Sequence, residues 1–243
     1  MRRLVAVACL LLASAAATAQ GAGRTTLDVF AASSLTNVLP KIDGAERYSF
    51  GGSNALAAQI EQGAPVDVFA SANTKLPRQL FAKGLVTKPV VFTRNALVLI
   101  VPRSNPAGVH AVRDLQKRSV KLVVAAPAVP VGAYTEQVLK NMHMSGVLRN
   151  VVSREPDVRG VLTKVALGEA DAGFVYSTDA RTVPGRVAVL RLPARAQPNV
   201  QYGVAVVIAS DRRAAAEAFV TRLLANAAQA KLRAAGFLPR VEK

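Results

Sequence analysis

The chain has 243 residues, 51% hydrophobic and 19% charged, a balance that suits a packed globule and excludes a disordered chain. A single cysteine and two histidines, His110 and His143, exclude a disulfide scaffold and make a Cys/His metal site improbable. The formal charge of +16 favours an anionic partner, but the basic residues form no long run and few aromatics separate them, which argues against a nucleic-acid groove.

In chain order, Arg2 and Arg3 precede an apolar run, Leu4 to Ala13, that is too short to span a bilayer; Ala17-Thr18-Ala19 follows as a small-x-small cleavage site. Residues 1–19 are therefore read as a signal peptide cut after Ala19, which exports the chain and removes Cys9. A membrane anchor fits less well, because no second apolar run follows. A lipoprotein fits less well too, because Cys9 sits inside the run and not after it.

The remainder alternates short strands with helices. Thr26 to Ala31 reads as a strand, Leu35 to Ile42 as a short helix, and Arg47 to Phe50 as a strand. Asn54 to Gln62 is a helix with Leu56 and Ile60 at helical spacing, Val66 to Ala70 a strand, and Lys75 to Lys83 a helix stopped by Gly84. A long apolar strand, Ala96 to Val101, ends at Pro102. The alternation restarts with strands at Leu122–Ala125, Asn150–Ser153, Ala172–Tyr176 and Val187–Leu190, and helices at Ala133–Met142 and Val158–Leu167. A second long strand, Tyr202 to Ala209, precedes a final amphipathic helix, Arg212 to Ala235, with Phe219, Leu223 and Leu224 on one face.

Short apolar strands between helices imply parallel strands and an α/β architecture. Two such units separated by two long strands predict two lobes joined by two crossings. The first, discontinuous lobe takes residues 25–93 with 204–243, and the second takes 94–203. No internal repeat is visible.

Four places share one design, in which a strand ends, a small or polar stretch follows and a helix begins. They are Ala31-Ala-Ser-Ser-Leu-Thr36, Phe50-Gly-Gly-Ser-Asn54, Ala128-Val-Pro-Val-Gly-Ala133 and Pro156-Asp-Val-Arg-Gly160. In open α/β sheets ligands bind outside the carboxyl ends of the strands. Helix N-termini there offer unpaired N–H donors and partial positive charge, so several aimed at one point make an anion site without a charged side chain. Each piece also has a plain structural reading. Ser34 and Ser53 alone read most simply as N-caps, Asp157 as an N-cap, Tyr176 as a half-buried strand tyrosine and Arg159 as a solvated or ion-paired residue.

The order of these segments resembles the periplasmic molybdate-binding proteins of ABC importers, part of the type II binding-protein superfamily. Val29 to Thr36, Ser49 to Ala72, Pro130 to Tyr134, Pro156 to Gly160, Gly173 to Asp179 and Gly236-Phe237 carry the resemblance over nearly the whole exported chain. Asp157 to Gly160 together with Gly173 to Asp179 are its specific part; the stretch around Gly63 to Asp67 is common to the superfamily. The resemblance implies a two-lobed type II periplasmic binding protein, each lobe a mostly parallel sheet flanked by helices, with two crossover strands as hinge. It implies a monomer in the periplasm that captures molybdate or tungstate and hands it to a membrane permease, with no cofactor, no nucleic-acid partner and no direct metal-cation site. The oxyanion ligands it implies are the hydroxyls of Ser34 and Ser53, the backbone N–H groups of Val131 and Val158, and the hydroxyl of Tyr176. Ser33, Ser71 and Asp179 are expected to support them. The chain departs from the family in a first helix shorter by about two turns. Pro40 sits in what remains, and Val131 stands where a smaller residue is common.

Three other functions compete. The ligand-sensing domain of a regulator, which shares the fold, would need a DNA-binding segment, and the N-terminus reads as a signal peptide instead. Another binding protein, for sulfate, phosphate or ferric iron, would need a proton acceptor for phosphate or a tyrosine pair for iron, with Tyr134 and Tyr176 the pair to watch. A serine hydrolase using Ser33 or Ser34 would need a histidine base and a nucleophile elbow, and neither motif is present.

Overall fold

The computed structural model describes residues 25–240; the signal-peptide reading lies outside the described residues. The first sheet holds β1 (Asp28–Ala32), β2 (Arg47–Gly51), β3 (Val68–Ser71), β4 (Val90–Asn95) and β10 (Val200–Val206), in the order β2-β1-β3-β10-β4. The second holds β5 (Leu97–Pro102), β6 (Leu122–Ala125), β7 (Val151–Glu155), β8 (Ala172–Tyr176) and β9 (Val187–Arg191), in the order β7-β6-β8-β5-β9. β1 runs parallel to β2 and β3, and β6 parallel to β7 and β8. In each sheet one strand runs against its neighbours, β10 in the first and β5 in the second. The two sheets thus share one plan, although no sequence repeat announces it.

Burial explains the strand patterns. β3, β5, β6 and β8 lie inside their sheets and are buried at every position, so they read as unbroken apolar runs or small residues. The edge strands β2 and β7 alternate instead. β4 is an edge strand of the first sheet whose sequence, Val-Val-Phe-Thr-Arg-Asn, mixes polar and apolar residues. No strand was expected there, because its run has neither the length nor the apolarity of β5.

Helices cover the sheets: α1 (Leu39–Ile42), α2 (Ser53–Glu61), α3 (Lys75–Ala82), α4 (Pro130–Asn141), α5 (Val158–Ala166), α6 (Ser177–Ala180), α7 (Arg213–Leu224) and α8 (Asn226–Ala234). Three differ from expectation. The helix expected over Leu35 to Ile42 is split into a 3-10 turn, Ser33–Leu35, and the single turn α1, with Pro40 in the opening turn of α1, where a missing N–H costs nothing. α4 begins earlier than expected, with Pro130 at its first position. The final helix is broken at Ala225, whose φ of −69° and ψ of 154° are extended.

The chain passes from the first sheet to the second across Ala96, between β4 and β5, and returns between β9 and β10. β10 belongs wholly to the first sheet, so the return crossing precedes Val200 and does not fall at 203/204. Gln197 ties the two crossings together: its Nε2 donates to the Leu97 carbonyl at 2.8 Å and its Oε1 accepts from the Leu97 amide at 3.2 Å.

One continuous core runs through both sheets. α7 closes the first sheet with Ala216, Phe219 and Leu223 buried, while Leu224 stays partly exposed at the margin. Phe219 is 1% exposed, so truncation leaves a large void that the sheet cannot collapse into. Phe219→Ala is expected to lower unfolding free energy by about 3–5 kcal/mol in urea titration; a loss under about 1 kcal/mol would mean that α7 docks by other contacts.

Candidate functional site

The strand directions decide where a site forms. Ser33 follows β1, Gly52 follows β2, Ala72 follows β3, Val129 to Val131 lie beyond β6, Asp157 and Val158 lie beyond β7, and Tyr176 ends β8. These residues, from the carboxyl ends of all six parallel strands, line one cavity between the two sheets. Its volume, about 10 Å³ for the centre of a water-sized sphere, leaves room for about one small group. Ser34, Ser53, Val131, Val158 and Tyr176, separated by up to most of the chain, all face it. So does Ser33, which was expected only to support the site.

The helix starts supply its character. The Ser33–Leu35 turn, α2 and α4 have Ala32, Gly52 and Val129 at their N-caps, none of which makes a side-chain capping bond. The first amides of a helix have no partner inside it, so three helix starts present unclaimed donors in the same place. α5 is the exception. Asp157 caps it, accepting from the Arg159 and Gly160 amides at 2.7 and 3.1 Å, which leaves the Val158 amide uncapped.

Ser34 and Ser53 do not cap their helices. Ser53 is the first residue of α2, and its Oγ accepts the Ala72 amide at 3.1 Å, so its own proton is free for the cavity. Ser34 Oγ lies 2.9 Å from the Tyr202 hydroxyl, which in turn lies 3.4 Å from Asn95 Nδ2. Asn95 Nδ2 can only donate, so Tyr202 accepts there; between Ser34 and Tyr202 either hydroxyl can donate, and when Tyr202 does, the Ser34 proton is left for the cavity. Asn95 Nδ2 also donates to Thr178 Oγ1 at 2.9 Å, and its Oδ1 accepts from Ser177 Oγ at 3.1 Å, so the residue beside the first crossing touches both sheets. Sequence reading missed Tyr202 and Asn95. The only available signal was that a tyrosine and an asparagine sit on otherwise apolar strands beside the crossings.

Tyr176 is 1% exposed, and its hydroxyl lies in the cavity wall with no hydrogen-bond partner. Burial pushes it well above the ordinary phenol range, and the neighbouring Tyr202 adds to this. It is therefore an O–H donor with no well-aligned acceptor. Tyr134 packs edge-on to it at 6.5 Å between ring centres but does not line the cavity. Burial pushes Tyr134 up to about 12. No lysine, arginine or histidine lines the cavity, and among the described residues no group of His, Cys, Asp or Glu is arranged to hold a metal ion. The arrangement can hold a small group rich in acceptors and poor in protons.

Comparison with known proteins bears on what that group is. A family model described as bacterial extracellular solute-binding protein matches residues 27–238. The molybdate-binding protein of Mycobacterium tuberculosis is 34% identical over 225 residues, covering 88% of this chain and 85% of that protein. That of Haemophilus influenzae is also 34% identical, covering 89% and 91%. Among solved structures, the periplasmic molybdate-binding protein of Azotobacter vinelandii superposes with a TM-score of 0.79 at 24% identity, covering 88% of this chain and all of that one. The sulfate-binding protein of M. tuberculosis superposes with 0.76 at 18%, covering 88% and 87%. Those two likenesses show the fold alone, and a fold shared by proteins named for two anions does not choose between them.

Beneath the site, Asp179 is fully buried on α6, with Arg159 Nε 3.2 Å from its Oδ1 and neither of its oxygens in an aligned hydrogen bond. Burial raises its pKa to about 7 against an ordinary 3.8, and Arg159 offsets only part of that. The folded state therefore holds a proton that the unfolded chain has lost, and stability falls as pH rises from about 3.8 through about 7. Asp179→Asn removes that titration and leaves a neutral group at every pH; exchanging the neutral acid for the amide is an offset equal at every pH. In urea melts between pH 5 and 8 the variant is expected to gain on the wild type as pH rises, at first by on the order of 1 kcal/mol per pH unit. A pH-independent difference would show that Asp179 stays ionised in the fold.

Proposed function

Because the chain belongs to the bacterial extracellular solute-binding proteins, and within them to the family of molybdate-binding proteins, we propose that it captures molybdate, and tungstate with it, between its two sheets and delivers the anion to the permease of an ABC importer. Export through a leader cut after Ala19, action as a periplasmic monomer, and ligation by Ser34, Ser53, Val131, Val158 and Tyr176 belong to the same proposal.

The observation that carries it is the buried Tyr176 hydroxyl, a donor with no well-aligned acceptor, set among helix starts that lack side-chain caps. A buried donor left unpaired costs about 1–3 kcal/mol, so a wall of such donors is stable only around a ligand that accepts from all of them. Molybdate is doubly deprotonated at neutral pH, and each of its oxygens wants donors only. Phosphate keeps a proton over part of that range and needs an acceptor; the one carboxylate in the wall, Asp157, has its Oδ1 engaged by two amides of its own helix, so only its Oδ2 could take that proton. Sulfate is also free of protons and differs from molybdate chiefly in its shorter bonds, so size must separate them.

The other readings find less support. Ferric iron wants phenolates, whereas burial keeps both Tyr134 and Tyr176 protonated and only Tyr176 reaches the cavity. A serine nucleophile needs a base, whereas Ser34 is bonded to Tyr202 and both histidines are exposed away from the cavity.

Isothermal titration with molybdate, tungstate, sulfate and phosphate tests the proposal. Molybdate and tungstate are expected to bind, with sulfate and phosphate far weaker. Ser34→Ala, Ser53→Ala and Tyr176→Phe are each expected to weaken molybdate by about ten- to a hundredfold, the worth of one hydrogen bond to a charged group. Sulfate or phosphate binding as tightly as molybdate would overturn the assignment, and three variants with wild-type affinity would remove the site.

A further inference from the structure

We propose that Gly52 determines how far the two sheets close: its approach to the Pro156 carbonyl is the stop that sets the width of the cavity, and through it the size of oxyanion accepted. The inference rests on the oxyanion reading and deepens it.

Gly52 lies in the turn from β2 to α2 of the first sheet, and Pro156 in the turn from β7 to α5 of the second, so the two meet across the seam between the sheets. A Cβ built on Gly52 falls well under 3.0 Å from the Pro156 oxygen, 3.5 Å from its carbonyl carbon and 2.9 Å from Asn54 Oδ1. The backbone itself does not call for glycine, because φ −63° and ψ 127° are open to any L residue. What calls for it is the neighbour. Asn54 Oδ1 is the end of a side chain and can turn away. The Pro156 oxygen is main chain at the entry to α5, and displacing it displaces the Val158 amide two residues on.

The next glycine in the same turn supplies the contrast. A Cβ on Gly51, which lines the same cavity, meets only Leu56, at 3.7 Å from its Cδ2 and 3.8 Å from its Cγ, ordinary contacts. Of two adjacent glycines, therefore, only Gly52 is held to that identity by the opposite sheet.

The stop works against a latch beside it. Arg159 Nη2 on α5 donates to Asn37 Oδ1, in the segment after β1, at 2.6 Å, so it too spans the seam. The guanidinium is anchored on its own side by Thr182 Oγ1 at 3.0 Å and by Asp179. The latch pulls the sheets together and the Gly52–Pro156 contact limits the approach. Ser53 follows Gly52 directly and Val158 follows Pro156 by two residues, so the separation at the contact is handed to donors on opposite walls. Hydrogen bonds form over a narrow range of distance, so walls stopped at one separation serve only an anion whose oxygens fill it.

Gly52→Ala and Gly51→Ala test this, each titrated calorimetrically with sodium molybdate, followed by stopped-flow dissociation and melted without anion. Gly52→Ala is expected to fold and melt cooperatively without molybdate, because the added methyl meets the seam between the sheets and not the core of either one. It is expected to lose roughly tenfold more molybdate affinity than Gly51→Ala, through faster dissociation. Gly52→Ala that matches Gly51→Ala in affinity and dissociation, while the wild type binds molybdate, overturns the stop and leaves the oxyanion reading standing. So does a Gly52→Ala protein that unfolds without anion where the wild type does not, since that would make Gly52 a folding requirement. A wild type that gives no heat with molybdate overturns the oxyanion reading and the stop with it.

Discussion

Buried amides must be paired, and at the starts of helices the helix cannot pair them. In this protein three of the four helix starts that meet at the cavity carry Ala32, Gly52 or Val129 where a capping side chain would ordinarily stand. Much of the rest serves that constraint. The parallel strands aim their carboxyl ends at one place, the crossings bring two sheets face to face there, and hydroxyls whose other bonds are already made fill the gaps between the amides.

Polar groups next to the site and the hinge belong to one network. Asn95, at the end of β4, reaches Ser177 and Thr178 in the second sheet's territory and Tyr202 in the first, and Tyr202 in turn bonds Ser34. Tyr202 is itself held edge-on by Phe92, Tyr176 and Phe237. The C-terminal Gly236-Phe237 pair therefore supports the site without touching the cavity, by fixing a ring whose hydroxyl orients a cavity serine. A buried network of this kind orients groups strongly because every member is committed to its partner.

The net charge of +16 plays a more distant part. Arginines cluster where carboxylates await them: Arg212 on Asp28 and Asp67, Arg222 on Asp43 and Glu46, Arg159 on Asp179. None enters the cavity. A positive surface raises the local concentration of anions over roughly a Debye length, about 8 Å at physiological salt, and does not distinguish one anion from another. Selection falls to neutral donors at fixed places.

The sequence by itself determined the alternation of strands and helices, because burial on both faces demands apolar runs and helix periods show in Leu56 and Ile60. It also determined which turns carry donors, since small residues where strands give way to helices are a local signal. That five residues so far apart line one cavity was foreshadowed for that reason and by the family resemblance. It did not show the edge strand β4, whose mixed composition lacks a period, nor the breaks at Pro40 and Ala225. Tertiary structure alone decided that Ser34 and Ser53 bond to Tyr202 and Ala72 and do not cap their own helices, because those partners lie 168 and 19 residues away along the chain. It alone decided that Gly52 faces Pro156, since a contact between two sheets leaves no mark in the spacing of either.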